Sequence, residues 1–136
     1  MSKRALVVDN DFFFVEFLTE LLEKRGYGVV KAYDGKEGLS KFKYGPFDIL
    51  FTDLIMPKID GIALIKIARQ KSSDSPCLII AISGSLIEQM EDIADIGADY
   101  YVAKKPLEQM TDEINALMDR IDKEGISHTE GNNSIE

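Results

Sequence analysis

Five short, largely apolar runs, Ala5–Val8, Tyr27–Ala32, Asp48–Thr52, Cys77–Ile82 and Tyr100–Ala103, alternate along this chain with stretches whose apolar residues recur every three or four positions. A run such as Ala5–Val8, apolar throughout, predicts a strand covered on both faces. The next stretch, Asp11–Arg25, sets Phe14, Leu18, Leu21 and Leu22 at helical spacing and stops at Gly26, where a left-handed cap is expected. Asp34 is placed to cap a short helix over Gly35–Tyr44 before Gly45-Pro46 breaks the chain. Asp60 does the same for Gly61–Gln70. A weaker helix is predicted over Ile87–Ile96, and the last, Leu107–Asp122, carries Met110, Ile114, Leu117 and Ile121 at spacings of three and four. Five β-α units in series imply an α/β fold, a parallel sheet with helices on both faces and right-handed crossovers. Alternation alone leaves the strand order open.

At 136 residues, 45% of them apolar, one domain is expected over residues 1–123. From Glu124 the chain turns polar, and residues 124–136 are expected to form a disordered tail. The single histidine, His128, lies there, and no ligand or catalytic role is expected for it. The formal net charge of -8 argues against direct binding to nucleic acid or an anionic membrane. One cysteine, Cys77, allows no internal disulfide and reads as a small buried hydrophobe. The longest apolar run, Cys77–Ile82, is too short to span a bilayer, and no signal peptide precedes it, so a cytoplasmic protein is expected.

In an open parallel sheet, the residues just past the strand ends converge on a crevice. Here those are Asp9, Asn10 and Asp11 after the first run, Asp53 after the third, Ser83 after the fourth, and Lys104 and Lys105 after the fifth. Taken singly, each has a plainer reading: a helix cap, a turn former or a solvated lysine. Together they place carboxylates, a hydroxyl and an ammonium on one edge. That set suits a divalent cation and phosphoryl transfer onto a carboxylate.

Leu-Val-Val-Asp-Asn-Asp at 6–11, Asp-Leu-Ile-Met-Pro-Lys-Ile-Asp-Gly at 53–61, Ile-Ser-Gly at 82–84 and Gly-Ala-Asp-Tyr-Tyr-Val-Ala-Lys-Lys-Pro at 97–106 resemble the signature of response-regulator receiver domains. The resemblance runs from about Arg4 to Asp122. It implies a flavodoxin-like (βα)5 three-layer sandwich with a five-stranded parallel sheet in the order 2-1-3-4-5. It implies a single-domain response regulator that takes a phosphoryl group on Asp53 from a histidine kinase or a phosphotransfer protein. Mg2+ would be held by Asp9 (partly through water), Asn10, Asp53 and the backbone carbonyl of Ile55. Ser83 would hydrogen-bond a phosphoryl oxygen, Lys104 would pair with the phosphoryl group, and Tyr101 would be the aromatic switch. The domain would assist its own phosphorylation and dephosphorylation without being an enzyme. Its output would be a switched surface for a downstream protein target, with a homodimer left open.

Three departures from the family pattern carry expectations. Asn10 stands where a second acid is usual, so weaker Mg2+ binding is expected. One extra residue lies between Tyr101 and Pro106: counting from Tyr101 selects Lys104, whereas counting from Pro106 selects Lys105, the second choice. The family's cis peptide before this proline is correspondingly in doubt. Ile55 and Ser85 do not orient an attacking water, so a long-lived phosphoryl group is expected.

Two other readings stand beside this one. Asn10 favours a receiver-like binding module that works without phosphorylation. Asp9-Asn10-Asp11 is also similar to the Asp-x-Asp motif of haloacid-dehalogenase-type phosphatases, with Asp9 as nucleophile, although Phe13 departs from that pattern. Phe12, Phe13, Phe14 and Phe17 crowd one helix, which fits core packing or kinase docking.

Overall fold

The structure is a computed structural model that describes residues 3–54, 60–71, 77–84 and 97–124. Five strands, β1 (Lys3–Val8), β2 (Tyr27–Ala32), β3 (Ile49–Asp53), β4 (Leu78–Ser83) and β5 (Tyr100–Ala103), form one sheet in the order β2-β1-β3-β4-β5. Every neighbouring pair is parallel. The described helices are α1 (Phe12–Glu23), α2 (Gly35–Phe42), α3 (Gly61–Lys71) and α4 (Leu107–Glu124). The expected helix at Ile87–Ile96 and the tail from residue 125 lie outside the described residues, as do Ile55, Ser85 and His128.

Strand side chains alternate between faces, and the core divides accordingly. Ala5, Val7, Ile49, Phe51, Ile80 and Ile82 pack with Phe14, Leu18 and Leu22 of α1 and Met110, Ile114, Met118 and Ile121 of α4. Leu6, Val8, Leu50, Ile79 and Ala81 pack on the opposite face with Leu64, Ile65 and Ala68 of α3. The three central strands are therefore sealed on both sides, as their unbroken apolar runs require.

Local chemistry sets the ends of the elements. The Asp11 carboxylate caps α1, accepting from the backbone N–H groups of Phe13 (3.0 Å) and Phe14 (3.2 Å). Asp34 accepts from Glu37 N–H at 2.7 Å, and Asp60 from Ala63 N–H at 2.8 Å. Gly26 takes a φ of 92° after α1, a conformation costly for any residue with a Cβ. Helix α2 stops at Phe42, not Tyr44, because Tyr44 and Gly45 N–H groups bond back only three residues, to Lys41 and Phe42, in a tightened turn. The cis peptide among the described residues precedes Pro46; Lys105–Pro106, left open by the sequence, is trans.

Candidate functional site

The backbone ladder brings the strand tips together. Asp53 pairs in register with Ile82, and Ser83 with Ala103. The ladder runs one residue past the strands, with Asp9 N–H donating to Ala32 O (3.1 Å), Leu54 N–H to Ile82 O (3.0 Å) and Lys104 N–H to Ser83 O (2.9 Å). Asp9, Asp53, Ser83 and Lys104 therefore end on one rim.

Asp9 and Asp53 follow the alternation that points Ala5, Val7, Ile49 and Phe51 toward α1 and α4. Lys104 continues the side of Tyr100 and Val102 and meets both acids. Its Nζ lies 2.8 Å from Asp9 Oδ2 and 3.5 Å from Asp53 Oδ2. It also stands 4.9 Å from the centroid of the Phe14 ring. Lys105 points elsewhere and forms an ion pair with Glu113 of α4. The structure thus brings Lys104, and not Lys105, to the carboxylates.

Asp9 is wholly buried and Asp53 is 7% exposed. Asp9 Oδ1 accepts from Asp11 N–H at 2.8 Å. Burial pushes the Asp9 carboxyl above the usual carboxylate range, and the Asp53 charge adds to that, against the opposing pull of Lys104 and the Asp11 N–H. Burial alone would lower the Lys104 ammonium, but Asp9 and Asp53 outweigh it and hold the lysine charged above its ordinary value. Asn10 is exposed at the rim, and Asp11 is committed to its helix cap.

Ser83 is buried, and Tyr101 is half-buried against the Leu64–Ile65 side of the sheet. By alternation Ser83 follows Ile79 and Ala81 to that same side. The charged trio and the Ser83–Tyr101 pair are therefore on opposite faces, joined at the rim. Gly61 closes the β3–α3 connection, its N–H donating to Leu54 O at 3.0 Å. A Cβ there would fall 1.7 Å from the Asp53 carbonyl oxygen, so the Asp53–Gly61 spacing requires a glycine.

Mg2+ takes one or two carboxylates and keeps much of its water. Two buried-edge acids that share the Lys104 ammonium fit that demand. Among the described residues there is no group of three or more His, Cys, Asp or Glu that could hold a metal. Ile55, whose carbonyl was an expected ligand, lies outside the described residues.

Sequence reasoning missed two features. Phe14 was read as core, which it is, but its ring also carries the Lys104 contact. Arg69 ties the approach to β5, donating to Gly97 O (2.6 Å), Cys77 O (3.2 Å) and Asp99 Oδ2 (2.7 Å). Sheet alternation applied to Lys104 would point toward the first. No sequence pattern marked the second.

The family described as response regulator receiver domain matches residues 5–115. The chain is similar to the response regulator MprA of Mycobacterium tuberculosis, 36% identical over 121 residues, which covers 88% of this chain and 52% of that protein. It spans about half, or somewhat less, of the length of the curated relatives it matches. Among solved structures, it resembles the REC domain of AraT, a response regulator from Geobacillus stearothermophilus, with a TM-score of 0.75 and 29% identity over 91% of this chain and 98% of that one. It also resembles the response regulator TrrA of Thermotoga maritima, solved in complex with Mg2+ and BeF, with a TM-score of 0.68 and 32% identity over 85% and 98% of the two chains. No described helix is long and apolar enough to cross a membrane.

Proposed function

The chain belongs to the response-regulator receiver family, and from that premise we propose that Asp53 accepts a phosphoryl group from a histidine kinase or phosphotransfer protein, with Mg2+ at the site. The observation that carries the reading is the position of the Lys104 ammonium, 2.8 Å from Asp9 and 3.5 Å from Asp53 at the strand tips.

An Asp53 carboxylate oxygen forms the new bond to phosphorus as the bond from phosphorus to the donor's imidazole nitrogen breaks. The leaving nitrogen keeps the electron pair and takes its proton from water. The aspartyl phosphate carries one more negative charge than the carboxylate it replaces, in a site that already holds Asp9. Lys104 offsets that charge. Asp9, Asp53, Asn10 and the Ile55 carbonyl would hold Mg2+, which supplies charge neutralisation when bound. Ser83 donates its hydroxyl to a phosphoryl oxygen, and Tyr101 follows on the same face, altering the surface offered to a protein target. The TrrA complex supports the reading, since BeF resembles a phosphoryl group in shape and charge.

Family membership sets aside the phosphatase reading with Asp9 as nucleophile, and Asp11 is occupied at its helix cap. The test is intact mass after treatment with acetyl phosphate and Mg2+. Wild type is expected to gain one phosphoryl group and Asp53→Asn none. An inert wild type would favour a binding module that works without phosphorylation.

A further inference from the structure

Among the described residues, the Lys104 ammonium meets two acids, Asp9 and Asp53, and one group that is not an acid. The third is the Phe14 ring, whose centroid lies 4.9 Å from Nζ. Phe14 is 4% exposed and wedged in the core between α1 and the sheet. Its backbone is fixed as well, because its N–H donates to the Asp11 cap. The ring is therefore a rigid platform beside a long and otherwise flexible side chain.

An ammonium near Asp9 and Asp53 has two competing arrangements. Asp9 is nearer, at 2.8 Å against 3.5 Å, whereas a phosphoryl group on Asp53 would draw the ammonium toward Asp53. A carboxylate as third partner would trap the lysine, and water would weaken every contact. An aromatic face attracts a cation without accepting its protons in a fixed direction, and it excludes water. It can hold the charge in place while leaving it free to turn between the two acids.

Resting on the phosphoacceptor reading above, we propose that Phe14 is a positioning residue for phosphoryl transfer, its ring face holding the Lys104 ammonium over the Asp9–Asp53 pair. Phe14 touches neither donor nor phosphorus and acts through Lys104. This makes electron density in the ring, and not merely its bulk, a determinant of the phosphorylation rate.

The test replaces Phe14 site-specifically by 4-fluoro-, 3,5-difluoro- and pentafluorophenylalanine, which change shape little but progressively remove charge from the ring face. Phe14→Leu and Phe14→Tyr are made alongside. The first readout is the NMR shift of the Lys104 ε-methylene protons, expected upfield in wild type and Phe14→Tyr and relaxed in Phe14→Leu. The second is the rate of Asp53 phosphorylation at subsaturating acetyl phosphate with Mg2+. A graded fall of roughly three- to thirty-fold across the fluorinated series, with Phe14→Tyr near wild type, is expected. A rate flat across the series in a protein that does phosphorylate overturns the proposal and leaves the phosphoacceptor reading intact. A Lys104 signal insensitive to Phe14→Leu overturns it as well. A wild type that takes no phosphoryl group on Asp53 overturns both.

Discussion

Gly61→Ala is the sharpest probe of how the proposed phosphoacceptor, Asp53, is held. Gly61 does not have the positive φ found at Gly26 and Gly97, so alanine meets no conformational penalty of that kind there. The cost is steric. The added carbon would lie 1.7 Å from Asp53 O and 2.7 Å from both Asp53 C and Leu54 Cα, where ordinary contact begins at 3.4 Å. All three atoms are backbone, so no side chain can swing away. The start of α3 and the end of β3 must part by more than an ångström, stretching the 3.0 Å bond from Gly61 N–H to Leu54 O. Overpacking of this kind costs about 1–3 kcal/mol and a strained hydrogen bond about 1 more, against a typical total of about 5–15 kcal/mol. Because the displaced atom belongs to Asp53, a shift of that size predicts roughly a hundredfold slower phosphorylation in the molecules that stay folded. Urea melts give the stability change, and acetyl phosphate kinetics give the rate. Gly28→Ala is the control: its Cβ would meet only Lys3 O, at 3.9 Å, on an exposed strand position. It should be neutral or stabilising by about 0.5 kcal/mol. A Gly61→Ala protein with wild-type midpoint and wild-type rate refutes the steric account of the Asp53–Gly61 spacing.

Four further outcomes follow from the same structure. Lys104→Met should slow phosphorylation by about a hundredfold or more, while Lys105→Met, losing an exposed pair with Glu113, should stay within about twofold; the reverse order would reassign the lysine. Asn10→Asp should tighten Mg2+ binding by about tenfold in a calorimetric titration, and unchanged affinity would remove residue 10 from the ligand set. The Cys77 thiol is 1% exposed and pushed up to about 12 by burial, so a thiol reagent at mild alkaline pH should label it only as fast as the protein opens; immediate native labelling would contradict the buried placement. Glu37 is held below its usual range, first by the Tyr33 N–H at 2.7 Å and then by Lys41. Its charge therefore stabilises the fold fully above 4.5, its ordinary value, and that contribution is lost as pH falls through the lowered folded value. Glu37→Gln should cost no more than about 1 kcal/mol at neutral pH, since the carboxylate is partly solvated, and the gap should close as the pH falls through that lowered folded value. A gap that persists in acid would refute the assignment.

Most of the frame was legible because each layer is written in a period. The strands show as runs because both faces are covered, and the helices show as 3-4 spacings because only one stripe is. Element ends drifted by a residue or two where the signal is a hydrogen-bond choice, as at Phe42, where the last turn tightens before Gly45. The fifth strand was ambiguous for a different reason. One inserted residue lets the motif be counted to Lys104 or Lys105; strand spacing from Tyr101 favours Lys104, and the ladder bond from Lys104 N–H to Ser83 O shows that it continues the inward-facing side. The trans Lys105–Pro106 peptide belongs to the same insertion, which separates the proline from the lysine that reaches the acids. Phe14 shows the limit of periodicity. Spacing assigns it to the core face of α1, but not to the particular strand tip its ring meets.

The pleat divides the proposed chemistry from the proposed switch. Asp9, Asp53 and Lys104 follow the side chains that face α1 and α4, whereas Ser83 and Tyr101 follow those that face α3. A phosphoryl group on Asp53 would therefore stand on one face while the residue meant to report it packs on the other. The two meet only at the rim, where Ser83 ends β4 beside the residue that follows β3. If signalling runs through Ser83, what lies between the two faces is the hydrogen-bonded backbone of the sheet, and Thr52, on the α3 side, already donates its hydroxyl to the Asp53 carbonyl at 3.0 Å. That makes the strand-end backbone the coupling element. In the proposed reading, a glycine whose Cβ would strike the Asp53 carbonyl sits at that same strand end.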